Sequence, residues 1–174
     1  FVRALYRPLI TKCADFMANF RNDDLNLPKP SWNLWEDRRG IHCFTVSAVI
    51  GGLRAAANFA RLFGETDRAE FYEQTADNFV AGMIGHLYSK KLGRFLRALE
   101  FNGDENFTVD TAVGSSVFGL FYFGAFPAAD EKVRKTMRAI EEKLWINTEI
   151  GGVARFENDG YMRVSKELTG NPWF

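Results

Sequence analysis

An excess of charge of either sign is missing from this chain: 22 Lys and Arg balance 22 Asp and Glu over 174 residues. Without a basic surplus there is no electrostatic footprint for a nucleic-acid backbone or an anionic membrane surface, and neither is expected as a partner. Histidine and cysteine are scarce, two of each, and Cys13, His42, Cys43 and His86 offer no metal-ligand spacing. A G-x-S-x-G elbow, a Walker loop and a dinucleotide fingerprint are all missing, so no cofactor is expected. No signal-peptide pattern appears. No clean apolar run reaches transmembrane length; the stretch from Val109 to Phe126 comes closest and is interrupted by Gly114, Ser115, Ser116, Gly119 and Gly124.

What is abundant is aromatic: 17 Phe and four Trp. Rings in that number imply a large packed core or an aromatic-lined cleft. The length suits one ordinary domain.

Hydrophobic periodicity divides the chain into five helical segments. The first, Val2 to Phe20, carries a stripe of Val2, Leu5, Leu9, Cys13, Phe16 and Phe20, with Pro8 as a kink or the true first turn. The second, Ile41 to Phe63, is apolar nearly all round and is expected to be enclosed. The third, Thr66 to Tyr88, returns to one stripe (Ala69, Tyr72, Ala76, Phe79, Met83, Leu87). The fourth, Asp110 to Phe123, is again apolar and rich in small residues all round. The fifth, Asp130 to Trp145, has one stripe: Val133, Met137, Ile140 and Leu144. Cys13 and Cys43 sit inside these patterns and are expected to be buried free thiols. Alternation of one-faced and all-round helices fits outer and inner layers of a double-layered α/α barrel or an α-solenoid, an all-α fold. Five helices cannot close such a barrel, so the chain reads as part of a longer polypeptide.

Loops separate the helices, and loops carry function. Residues 90–106 read as a short hairpin, and 147–174 as extended. Residues 22–40 hold Ser31-Trp32-Asn33-Leu34-Trp35-Glu36-Asp37, two adjacent carboxylates beside two indoles. A carboxyl desolvated against indole faces keeps its proton near neutral pH, as a general acid requires. Indoles are also surfaces on which sugars stack, so the segment points to carbohydrate chemistry. Glu36 is the candidate proton donor. Asp37 would bind a hydroxyl or raise the Glu36 pKa, and Arg38 and Arg39 would oppose that rise. Glu36-Asp37-Arg38-Arg39 also reads as a solvated charge cluster, with Glu36 a polar loop residue or a helix-entry charge. His42 reads as a solvent-facing or capping residue, or as a polar contact at the site. Arg155, after Gly151-Gly152, is an arginine fork suited to vicinal hydroxyls, or a partner for Glu157 or Asp159 at the surface. Trp173 is a stacking platform or a helix-start anchor.

The segment Leu27 to Arg38, running into Gly40-Ile41-His42-Cys43-Phe44-Thr45-Val46, resembles the general-acid segment of glycoside hydrolase family 15, the glucoamylase and glucodextranase family. Residues 151–161 and Gly170-Asn171-Pro172-Trp173-Phe174 resemble a later substrate-binding stretch of that family, in the same order. The resemblance implies part of an (α/α)6 barrel, with hairpin and extended loops at its mouth. Residues 1–174 would then be a partial catalytic domain whose partner is the rest of that domain. It implies exo-acting, inverting hydrolysis of α-glucan or malto-oligosaccharide with release of glucose, Glu36 as general acid, and substrate contacts from Trp35, Asp37 and Arg155. Asp159 and Trp173 would support the pocket. Asn33 stands where the family usually has aspartate, Trp32 replaces a more usual tyrosine, and Phe156 lacks a likely hydroxyl. By the same resemblance the catalytic base lies beyond Phe174, neither Glu157 nor Asp159 serves as base, and the piece alone is inactive. Alternatives are a trehalase or glucodextranase activity, a non-catalytic glucan-binding or regulatory homologue, and a helical scaffold for protein partners.

Overall fold

In the computed structural model, residues 2–103 and 106–173 are described; Phe174, the last residue of the closing motif, lies outside them. The chain opens as one helical rod. It is α-helical over Val2–Leu5 (α1) and Lys12–Asn19 (α2), with a wider π-helical turn over Tyr6–Thr11 between them. Pro8 explains the widening: it has no N–H to donate and its ring crowds the carbonyl one turn back. The Thr11 hydroxyl spans the carbonyls of Tyr6 and Arg7 at 3.1 and 2.8 Å. The turn also rotates the helix. Tyr6, Thr11, Ala14 and Ala18 are buried, while Leu9, Cys13, Phe16 and Phe20 from the expected stripe are exposed. The expectation of a buried Cys13 thiol is therefore corrected, and the larger apolar residues form an uncovered face.

α3 (Cys43–Leu62) and α4 (Thr66–Gly82) form the centre of the fold. α3 buries Val46, Ile50, Leu53, Ala57 and Ala60 along one face but is not enclosed all round as its apolar pattern predicts; Ala55 and Leu62 are exposed. It comes so close to the short α5 (Gly119–Tyr122) that a β-carbon on Gly51 would meet the Phe123 carbonyl oxygen at 2.6 Å. Length and composition alone would let α3 cross a membrane, contrary to the sequence reading that no run qualifies; here its buried face is core. α4 buries the stripe Ala69, Tyr72, Ala76 and Phe79 and continues as a π turn over Met83–Leu87. α6 (Glu131–Leu144) starts at Asp130, whose carboxylate accepts the Lys132 N–H at 2.7 Å, and it buries Val133, Thr136 and Leu144.

The all-α expectation, which allowed only short hairpin and extended loops, understates the strand content. Among the described residues, eight short strands build three antiparallel sheets: β1 (Arg21–Asn22) with β2 (Leu27–Pro28), β5 (Tyr88–Ser89) with β6 (Arg94–Phe95), and a four-stranded sheet. That sheet runs in the order β3 (Ser31–Trp32), β4 (Arg39–His42), β7 (Ala98–Phe101), β8 (Phe107–Asp110). The fourth expected helix is the clearest miss. Its start, Asp110, ends β8, and the chain then runs extended through Gly114 before a 3-10 turn at Ser115–Phe118 and the four residues of α5. Pairing across the fold overrides the apolar helical pattern: Gly114 forms an antiparallel bridge with Phe156.

Candidate active site

The sheet and the chain after α6 carry the expected site residues. β3 and β4 are joined by residues 33–38, closed by the Asn33 N–H on the Arg38 carbonyl at 2.9 Å. Asn33 also ties the loop from inside. Its side-chain oxygen accepts the Asp37 N–H at 3.1 Å, and its amide donates to the Asp37 carboxylate at 2.6 Å. Glu36 occupies the left-handed region at φ 56, with its N–H on the Asn33 carbonyl. That conformation is strained for a side-chain-bearing residue, and such strain concentrates at functional sites.

On the facing side, residues 152–157 are held by three neighbouring segments. The end of α6 supplies the Leu144 carbonyl to the Ala154 N–H at 2.9 Å. The Trp173 N–H donates to the Val153 carbonyl at 3.0 Å, and residues 113–115 add further contacts. Both the N–H and the hydroxyl of Ser115 donate to the Arg155 carbonyl, at 2.8 and 3.0 Å, and the Glu157 carboxylate accepts the Val113 N–H at 2.7 Å. With its backbone fixed, Arg155 extends its side chain into a bidentate pair with Asp159: Nε to Oδ2 at 2.6 Å and Nη2 to Oδ1 at 2.7 Å. Asp159 Oδ1 also accepts the Tyr161 N–H at 3.0 Å. Burial pushes the Asp159 carboxyl up. The hydrogen bonds from Arg155 and Tyr161 and the positive charges of Arg155 and Arg97 outweigh it, so the group lies below the usual carboxylate range.

Four rings surround the Arg155 guanidinium. Its Cζ lies 4.8 Å from the ring centre of Tyr161, 5.2 Å from Trp35, 5.4 Å from Phe156 and 5.6 Å from Trp173. An open cavity of about 550 Å³ adjoins this cluster, lined by Trp35, Asp37, Arg38, Arg155 and Phe156, among others. Its size and its mixture of rings and hydrogen-bonding groups suit a small polar ligand with apolar faces. Among the described residues no group of three His, Cys, Asp or Glu side chains is placed to hold a metal ion.

Of the residues singled out from sequence, Trp35, Asp37, Arg155 and Asp159 line one cavity, with Trp173 beside it. Glu36 does not line it. It is exposed at the loop tip, so the desolvating indole environment expected for it is not formed among the described residues. His42 is not solvent-facing: it occupies the cap position of α3 and is 5% exposed, and its desolvation lowers its pKa despite hydrogen bonds to Ser31 and Arg38. Sequence reading missed Tyr161, whose D-x-Y spacing from Asp159 is the signal of an Asx turn. It also missed the buried pair Arg97–Asp110 beneath Phe156, for which no local signal exists.

A family model described as Glycosyl hydrolases family 15 matches residues 24–174. An uncharacterized glycosyl hydrolase of Methanocaldococcus jannaschii is 26% identical over 145 residues, which are 83% of this chain and 21% of that protein. A glucoamylase of a Clostridium species is 26% identical over 180 residues, 93% of this chain and 25% of its own length. The chain thus spans about a quarter or less of these curated relatives. The crystal structure of a bacterial glucoamylase complexed with acarbose superposes with a TM-score of 0.74 at 22% identity, covering 97% of this chain and 27% of that one. The likeness to that structure is one of fold.

Proposed function

The chain belongs to glycosyl hydrolases family 15, and from that premise we propose that it is part of a catalytic domain that cleaves α-glucosidic bonds in starch-like glucans. One observation carries this reading: a guanidinium fixed by a buried carboxylate and ringed by four aromatic faces, opening on the 550 Å³ cavity beside the Trp35-Glu36-Asp37 loop. Asp159 occupies Nε and Nη2 of Arg155, so the Nη1 edge is the part of the fork directed to sugar hydroxyls. Trp35 stacks on the ring face of a terminal glucose. Asp37, oriented by Asn33, accepts from another hydroxyl. Glu36 protonates the departing glycosidic oxygen, and a second carboxylate activates water on the opposite face with inversion. Neither nearby acid suits the second role: Glu157 is held by the Val113 N–H, and Asp159 by Arg155 and Tyr161. As the family resemblance implies, the base in this reading comes from outside these 174 residues, and the chain alone is expected to be inactive.

Residues 1–174 contribute part of an (α/α)6 barrel in this reading. The exposed apolar face of Leu9, Phe16 and Phe20 and the exposed Trp32 and Leu34 flanking Glu36 are surfaces that further helices cover. Covering them would also desolvate Glu36. The exposure of Glu36 in this chain favours one rival, a glucan-binding homologue without catalysis. Incubating the full-length protein that carries this chain with maltotriose, trehalose and dextran, and following the anomeric protons by NMR, separates the readings. Glucose released from maltotriose first as the β-anomer is expected. Binding of maltotriose without glucose release would establish the rival, and preference for trehalose or dextran would move the substrate assignment.

A further inference from the structure

We propose that Arg97, buried against Phe156 and not itself lining the cavity, is the positioning residue for Arg155 and so sets the affinity for a terminal glucose; this rests on the sugar-binding role given to Arg155 above. Arg97 lies between β6 and β7, and its carbonyl accepts the Cys43 N–H at the start of α3, at 3.0 Å. Its side chain is 8% exposed. Nε is bonded to the carboxylate of Asp110, at the end of β8, whose other oxygen accepts the Ala112 N–H at 3.0 Å.

Two contacts connect this pair to Arg155. The Arg97 guanidinium carbon lies 4.3 Å from the ring centre of Phe156, and that of Arg155 lies 5.4 Å from the same centre, so one ring couples both cations. The Arg97 stem also fills the space against Gly114, where an added β-carbon would lie 2.5 Å from Arg97 Cδ. Gly114 bridges Phe156, and its neighbour Ser115 holds the Arg155 carbonyl twice. The path from Arg97 to the Arg155 backbone is therefore Gly114 and Ser115, and the path to its guanidinium is Phe156.

Stability alone does not account for a cation here. Arg97 Nη1 is buried and has no hydrogen-bond partner among the described residues, which costs free energy. Buried ion pairs are often replaceable by apolar residues without loss. The Arg97 charge acts instead on its surroundings, and Asp159 is among the groups that feel it.

The test uses the full-length protein and the variants Arg97→Gln, Arg97→Lys and Arg97→Met/Asp110→Asn, with maltotriose kinetics at a temperature where each is folded. Gln keeps a donor for Asp110 without the charge, and the double variant removes both charges, so either neutral form that folds decides the matter. The expected result is a KM raised about fivefold or more, with kcat within about twofold, in the neutral forms, and a KM returned to within about twofold of the parent by Lys. A merely structural residue would lower the unfolding temperature and leave KM unchanged, and a KM within about twofold of the parent in a folded neutral variant overturns the proposal. A parent that cleaves maltotriose while the variants keep its KM refutes this inference alone; a parent that neither binds nor cleaves maltotriose refutes it together with the proposed function.

Discussion

Removing the Asp159 carboxylate tests the architecture of the cavity most severely. The Arg155 and Asp159 side chains are 10% and 2% exposed, and two hydrogen bonds of 2.6 and 2.7 Å join them. In Asp159→Ala the guanidinium stays enclosed by Trp35, Phe156, Tyr161 and Trp173 with its Nε and Nη2 donors unmet. Breaking a buried pair from one side costs about 3–5 kcal/mol. The four ring faces keep part of their attraction for the cation, at about 0.5–1 kcal/mol for a contact of this kind, which places the loss at the lower end of that range. With a urea slope of about 2 kcal/mol/M, the unfolding midpoint of this chain should fall by about 1.5 M. Adding Arg155→Met removes the orphaned charge and should recover at least half of the loss, because a paired deletion leaves no uncompensated ion. A midpoint shift under about 0.5 M, or a double variant as unstable as the sum of the singles, would refute the reasoning.

The same pair fixes a dependence on acid. The folded Asp159 titrates below its ordinary value of 3.8, so its contribution is complete above that value and is lost as pH falls through the lower folded pKa; urea midpoints between pH 5 and 2.5 should decline in the parent and decline less in Asp159→Asn. His42 adds a second window: burial holds its pKa below 6.5, the unfolded chain takes up the proton first, and stability drops as pH falls from about 6.5, a slope that His42→Gln should remove in urea titrations at pH 7 and 5. Gly114→Ala should cost about 1–3 kcal/mol in the same assay, because its β-carbon would lie 2.5 Å from Arg97 Cδ; an unchanged midpoint would mean that Arg97 moves freely.

Local signals made much of this readable. α3, α4 and α6 follow from apolar periodicity, and the Pro8 perturbation from the chemistry of proline. Trp35, Asp37, Arg155, Asp159 and Trp173 were singled out more than a hundred residues apart, and the fold gathers them. The rest depends on pairings that no local window contains. The small apolar residues after Asp110 imitate a helix, yet the Gly114–Phe156 bridge holds the chain extended there. The stripe of Leu9, Cys13 and Phe16 was read as core, but the π turn presents Tyr6, Ala14 and Ala18 instead. Asp110 reads as the start of a helix and Arg97 carries no local signal; the register of β7 with β8 brings them together under Phe156. Glu36 was expected against indoles, but the Asn33-closed loop leaves it exposed; in the proposed barrel its cover comes from elements beyond these residues.

In the proposed mechanism Glu36 gives the proton to the glycosidic oxygen at this cavity. Glucose release from maltotriose by the full-length protein carrying Glu36→Gln measures it directly, since glutamine keeps the loop and removes the transferable proton. The account predicts a kcat lowered at least about a hundredfold with KM nearly unchanged; turnover within a few-fold of the parent would contradict it.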